Sequence, residues 1–247
     1  MDCVTAAGDA AIVYCAALRW RGLQAAMGSV LTACDGRVET RTSVSRFRLD
    51  ASEEEIGVEY PALNVSGRWR ADAGPVARNV YEAPAGSVEW NCVQPRSRVA
   101  LRVDGREMSG LGYAECLTLT MPPWKLPMRE LRWGRFVSET DSLAWIEWQG
   151  EHIERLCVLN GNECELRSVS ESEVVADGAT LRMEETMTLR DGRLADTILP
   201  GTPALKKMFP RSVFGAVERK WMSRGTLGRD GGSNPGNVIH EVVYWGR

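Results

Sequence analysis

A tyrosine and a glutamate two residues apart, Tyr113 and Glu115, follow Gly110 and Gly112 in the segment SGLGYAECLTL. At the two-residue period of a strand, Leu111, Tyr113, Glu115 and Leu117 share one face. The flanking leucines imply that this face looks inward, with a carboxyl and a phenol among apolar groups. Desolvation favours the neutral form of any carboxyl so placed. A neutral acid can protonate an alkene or hydrogen-bond a carbonyl, steps that serve hydration, cyclisation, isomerisation or pericyclic chemistry. Glu115 is therefore the candidate acid and Tyr113 its orienting partner. The plainer alternative is a cross-strand ion pair of Glu115 with Arg102, Arg132 or Arg135. An acid site would have Glu115 lining the largest cavity, with no arginine or lysine in reach. The two glycines would let a ligand approach the backbone closely.

Four of the nine tryptophans, Trp124, Trp133, Trp145 and Trp148, fall in the stretch from Ser109 to Gly150. Leu131, Trp133, Arg135 and Val137 share one strand face, and Ala144, Ile146 and Trp148 share another. Trp90, Trp124, Trp133, Trp148 and Arg135 are the candidate ligand-binding residues. Each has a bland reading beside it: the indoles can be core packing, and Arg135 can be a structural salt bridge rather than a guide for a carboxylate or enolate. Glu147 alternates with Trp148 and reads as solvent-facing. The two histidines, His152 and His240, lie near no serine or cysteine in a nucleophile motif.

Short strands must position these residues. Apolar or alternating runs such as Ala10–Trp20, Ala26–Ala33, Arg37–Leu49, Ser87–Val93 and Ser97–Val103 are punctuated by turn signals such as Asp35-Gly36 and Asp104-Gly105. Asp177-Gly178 and Asp191-Gly192 do the same in the second half. Ser52–Glu55 reads as a loop or a single helical turn. The Gly-rich run Gly225–Gly236 reads as a mobile hairpin loop, lacking the lysine and strand-to-helix setting of a phosphate loop. Helix signals converge only on Thr202-Pro203 and the residues to Phe209, with a cap and a proline at the first position. Met121-Pro122-Pro123 breaks the ladder, which divides the chain into β domains at 1–121 and 122–247.

The 247 residues are 44% hydrophobic and 26% charged, with a formal net charge of −3 and no basic stripe, which excludes a nucleic-acid surface. No apolar run reaches the roughly 20 residues of a membrane span, and the apolar stretch at 10–18 lacks the basic flank of a signal peptide. Seven cysteines without a CxxC, and two histidines, offer no metal-ligand spacing. Free thiols in a cytoplasmic protein without metal or cofactor are the reading that follows. Cys157 and Cys164 fall opposite each other across a hairpin turned at Asn160-Gly161, so a disulfide between them is the alternative.

Gly110, Gly112, Tyr113 and Glu115, followed by Leu131, Trp133 and Arg135 on a Trp-rich hairpin, resemble the central segment of the carotenoid 1,2-hydratase family, also described as hydroxyneurosporene synthase-like or AttH-like. Fungal decalin-forming Diels–Alderases share that architecture. The likeness is sharp from Gly110 to Trp148 and thin elsewhere. It implies an all-β fold of two lipocalin-like (calycin-type) antiparallel barrels or barrel-like sheets in tandem, and a large apolar partner molecule. An aromatic-rich strand usually precedes the point where this chain opens, so the resemblance also implies a short or trimmed N-terminus. Two functions follow: a cofactor-free hydratase, cyclase or isomerase of a polyene-, terpenoid- or polyketide-like substrate, or a non-catalytic carrier of such a molecule. A buried Glu115 without a counter-charge would favour the enzyme, since a carrier gains nothing from its desolvation.

Overall fold

The computed structural model describes residues 1–20, 23–194, 215–229 and 231–245, apart from the side chains of Trp20, Leu23 and Trp124. The helix expected at 203–209 lies outside the described residues. Two antiparallel sheets account for nearly all of the rest. The first is built from β1 (Asp2–Thr5), β2 (Ala10–Trp20), β3 (Leu23–Cys34), β4 (Arg37–Ser43), β5 (Arg48–Ala51), β6 (Glu55–Tyr60), β7 (Val65–Ala71), β8 (Val76–Ala83), β9 (Gly86–Val103) and β10 (Arg106–Leu119). The second holds β11 (Met128–Val137), β12 (Ser142–Gly150), β13 (Glu154–Leu159), β14 (Asn162–Cys164), β15 (Leu166–Val169), β16 (Glu173–Ala176), β17 (Ala179–Arg193), β18 (Val217–Arg229) and β19 (Gly232–Tyr244).

The strand order is β4-β3-β2-β1-β10-β9-β7-β6-β5 in the first sheet, with β8 on β9, and β14-β13-β12-β11-β19-β18-β17-β16-β15 in the second. Each sheet curls around its own apolar filling. Trp69, Tyr60, Val30 and Leu101 pack inside the first, and Phe136, Trp145, Leu181 and Leu227 inside the second. The Tyr60 hydroxyl donates to the carbonyl of Ser43, 2.8 Å away at the end of β4, and so draws the two margins of the first sheet together. The result is a pair of barrel-like sheets in tandem. Two further apolar clusters fill the layer where the sheets meet: one gathers Trp90, Tyr113, Ile146 and Trp148, the other Ile12, Leu31, Met222 and Ile239.

Several local expectations change. β9 is one strand through Pro95, not two. β8 pairs with it only at Gly86–Cys92 and β7 only at Ser97–Val103, while the β10 register skips between Gln94 and Ser97. Pro95 therefore falls in a bulge where no ladder donor is needed. Arg37–Leu49 is broken between β4 and β5, and Ser52–Glu55 is a non-helical turn closed by Ser52 and Glu55. The Gly225–Gly236 run is paired residue for residue as the ends of β18 and β19.

Candidate active site

β10 carries the acid. Its residues Gly110–Tyr113 pair with β1, so that Asp2 lies opposite Tyr113. A β-carbon at Gly112 would fall 2.1 Å from the Asp2 carbonyl oxygen, and one at Gly110 2.1 Å from that of Val4. The glycines thus admit a neighbouring strand, not a ligand. Beyond Tyr113 the strand keeps only β9 beside it, with two register shifts. That loss of a neighbour leaves Leu117 53% exposed, against the expectation that it faces inward with Tyr113.

Tyr113 and Glu115 do share a face, and it points into the layer between the sheets. Three donors converge on one carboxyl oxygen, Glu115 Oε2: Trp90 Nε1 at 2.6 Å, Tyr113 Oη at 2.9 Å and Trp133 Nε1 at 3.1 Å. Trp90 comes from β9 and Trp133 from β11, so both sheets hold the same atom. An indole can only donate. Burial pushes the Tyr113 phenol well above its ordinary pKa, with Cys92 and Glu115 adding to the rise, so it too keeps its proton to donate. Oε2 is committed as an acceptor, and any proton on this carboxyl rides on Oε1. Among the described residues no lysine or arginine forms an ion pair with Glu115.

The remaining candidates divide. Trp90 and Trp148 are buried and Trp133 half-buried, all in the aromatic layer around Glu115. The Trp133 ring stands edge-on to Tyr113, with centroids 5.9 Å apart. Trp148 packs with Tyr81 and His152. Trp124 lies in the 3-10 turn Pro123–Lys125, and its side chain is outside the description. Arg135 is fully buried but turned to Asp2, its Nη2 and Nε 2.5 and 3.1 Å from the two carboxylate oxygens, and its Nη1 reaches the Asn237 carbonyl. Glu147 is not on the surface. It is 3% exposed inside the second sheet and bound by Arg155 and Gln149. The inward turn follows from its place opposite Arg132, on the same face as the packed pair Gly134 and Trp145.

A cleft of about 1060 Å³ opens between the sheets over Val4, Leu111 and Val137, with arginines such as Arg68, Arg98 and Arg182 at its rim. Glu115 does not line it, contrary to expectation. Leu111 and Val137 lie one row above Tyr113 and Arg135, and the Asp2–Arg135 pair occupies the row between cleft and acid.

Sequence reasoning missed a second polar centre in the same layer. Lys220 of β18 donates to Tyr14 Oη at 2.7 Å and pairs with Glu241 at 2.5 Å and Glu218 at 3.2 Å. Arg190 of β17 holds Glu218 from the other side through Nη1, at 3.1 Å. The ammonium lies 5.1 Å from the Tyr14 ring centroid and 5.9 Å from that of Trp133. Burial pushes Glu241 up to about 7 against the pull of Lys220. The one local signal was Glu218-Arg219-Lys220, but charges alternating on both faces hide which face is inside. Among the described residues no cluster of His, Cys, Asp and Glu could hold a metal, and no helix is long and apolar enough to cross a membrane.

Fold and site together define a tandem lipocalin-like protein with a polar pair of centres in an aromatic layer between its sheets. Its likeness to solved structures is of that kind. Kievitone hydratase from Nectria haematococca matches at 9% identity with a TM-score of 0.60, over 98% of this chain and 87% of that one. A putative AttH from Nitrosomonas europaea matches at 11% identity and 0.59, over 98% and 90%. CghA, a Diels–Alderase, matches in its complex with Sch210972 at 11% identity and 0.53, over 99% and 86%. At such identities the shared property is the fold, which is the one the resemblance implied. No protein-family model matches the chain, and no curated protein sequence does either.

Proposed function

We propose that the protein is a cofactor-independent enzyme acting on a large apolar substrate of polyene, terpenoid or polyketide type, by acid catalysis at Glu115, as a hydratase, cyclase or isomerase. The observation that carries this reading is the Glu115 carboxyl oriented by three neutral donors and by no cation among the described residues. A structural carboxylate in such a layer gains most from an arginine, as Asp2 does from Arg135. Glu115 instead keeps Oε1 for another molecule. In the reaction Oε1–H protonates an alkene carbon, and the cation that forms lies against the faces of Trp133 and Trp148. Capture by water, or by a second double bond, then returns a proton to Oε1. Tyr113, Trp90 and Trp133 act as positioning residues, Trp148 stacks on the substrate, and Trp124 is a further ligand-binding residue of this reading. Arg135 closes the floor of the cleft.

The fold's occurrence in kievitone hydratase and in CghA fits an enzyme. The two halves divide at 121–122, between the last strand of the first sheet and the first of the second, in a cytoplasmic protein. The apolar floor of the cleft favours a second reading, a carrier of the same class of molecule. Glu115→Gln separates the two. Its amide oxygen still accepts from both indoles and the phenol, so fold and ligand binding persist. Turnover should fall roughly a hundredfold or more. An unchanged turnover removes Glu115 from the reaction, and no turnover in the native protein of any substrate that binds leaves the carrier.

A further inference from the structure

Arg190 is the least explained group in the molecule. It stands opposite Lys220 in the ladder, Lys220 stands opposite Glu241, and Glu241 opposite Trp133, so one row crosses β17, β18, β19 and β11. Every other member of the row is spoken for. Lys220 has three partners for its three protons, and Glu218 receives both cations. The Arg190 side chain is 5% exposed, lies over the Tyr14 ring with its Cζ 5.5 Å from the centroid, and hydrogen-bonds only through Nη1; its Nε and Nη2 are buried and have no hydrogen-bond partner among the described residues. A buried donor left unmade is costly, and folded proteins rarely leave two on one group. The Nε–Nη2 edge is also the part of a guanidinium whose parallel N–H groups match the two oxygens of a carboxylate.

We propose that the free edge of Arg190 receives the carboxylate of the substrate, which is therefore a long apolar monocarboxylic acid. This rests on the preceding reading of Glu115 only for where the far end of the molecule goes. Three strand spacings separate Arg190 from Trp133, roughly 14 Å across the sheet, which is the span of about a ten-carbon chain. Leu189, Met187, Met222 and Ile239 supply apolar surface beside the row, and Trp133 belongs both to their cluster and to the one around Glu115. An acid anchored at Arg190 thus runs along flexible, polarizable methionines to the indole that holds the acid group. Charge admits a monoanion. The row and its neighbour Tyr14 hold two cations, Lys220 and Arg190, against Glu218 and Glu241. Glu241, pushed up to about 7, takes up a proton when a further negative charge arrives, and the buried centre remains neutral.

The test uses all-trans-retinoic acid and all-trans-retinol, which share one polyene and differ at the head group, with binding read by quenching of tryptophan fluorescence. The acid should bind at least tenfold more tightly than the alcohol at pH 7. Arg190→Lys keeps a cation for Glu218 and removes the fork; it should bring the two affinities within about twofold of each other and leave retinol affinity unchanged. Calorimetry of the native protein in two buffers of different ionisation enthalpy needs no variant, and should show proton uptake with the acid and none with the alcohol. Equal affinities in the native protein, no binding of the acid, an acid preference that survives Arg190→Lys, or acid binding without proton uptake overturns the proposal. The experiment reads binding and not turnover, so it can fail while Glu115 is the catalytic acid and succeed while it is not.

Discussion

His240 and Glu241 are adjacent in β19, face opposite ways, and are each displaced from their ordinary titration by burial. His240 is 4% exposed beside Ser223 and the Trp221 ring, and its pKa is lowered from 6.5 to about 4. Glu241, among Lys220, Glu218, Arg190 and Tyr14, is raised from 4.5 to about 7. Between pH 6.5 and 4 the unfolded chain holds a proton at residue 240 that the folded protein refuses, so acid destabilises. Between pH 7 and 4.5 the folded protein holds a proton at residue 241 that the unfolded chain has lost, so acid stabilises. Each shift is about 2.5 units, or about 3 kcal/mol. The slopes are opposite and overlap, so these two groups together leave stability almost flat across the shared window. His240→Gln, whose amide can still meet the Ser223 hydroxyl, removes one of them. Its unfolding free energy, measured by urea titration from pH 7 to 4.5, should rise by about 2.5 kcal/mol relative to the trend of the native protein. Parallel curves for the two proteins would refute the opposed-slope account.

Two further outcomes follow from buried groups elsewhere. Arg135→Met leaves the Asp2 carboxylate, 3% exposed, without its partner, and should cost about 3–5 kcal/mol; adding Asp2→Asn should recover more than half of that loss in a thermal melt, and a single variant as stable as the native protein would show the pair to be hydrated. All seven cysteines are free, and among them Cys116 alone is exposed. A thiol reagent should therefore modify one site quickly in the folded protein, lose that phase in Cys116→Ser, and reach seven sites after denaturation without reductant.

Local pattern was a good guide to strands and to which side chains share a face. β2 runs from Ala10 to Trp20 as its apolar run implies, and the joint orientation of Tyr113 and Glu115 was readable from spacing alone. What lay beyond reach was which side of each sheet is the inside. A face that meets a second sheet and one that lines a curled sheet's interior show the same alternation, and hence Glu147 read as solvent-facing and Glu115 as lining a cavity. Partners far apart in the chain were equally hidden. Asp2 meets Arg135, and Tyr14 meets Lys220, only because the first strands fold back beside β10 and that surface then packs against β11, β18 and β19. Charge on both faces of β18 masked the row that ends at Arg190.

Both polar centres are completed across the layer, and this bears on how the site can work. Glu115 takes Trp90 and Tyr113 from its own sheet and Trp133 from the other; Lys220 takes Glu218 and Glu241 from its own sheet and Tyr14 from the other. The bond that crosses to Glu115 is the longest of its three, at 3.1 Å against 2.6 and 2.9 Å. Two of the three bonds that orient Glu115 are therefore made within its own sheet, by Trp90 and Tyr113, and they fix the carboxyl relative to β9 and β10 independently of the second sheet.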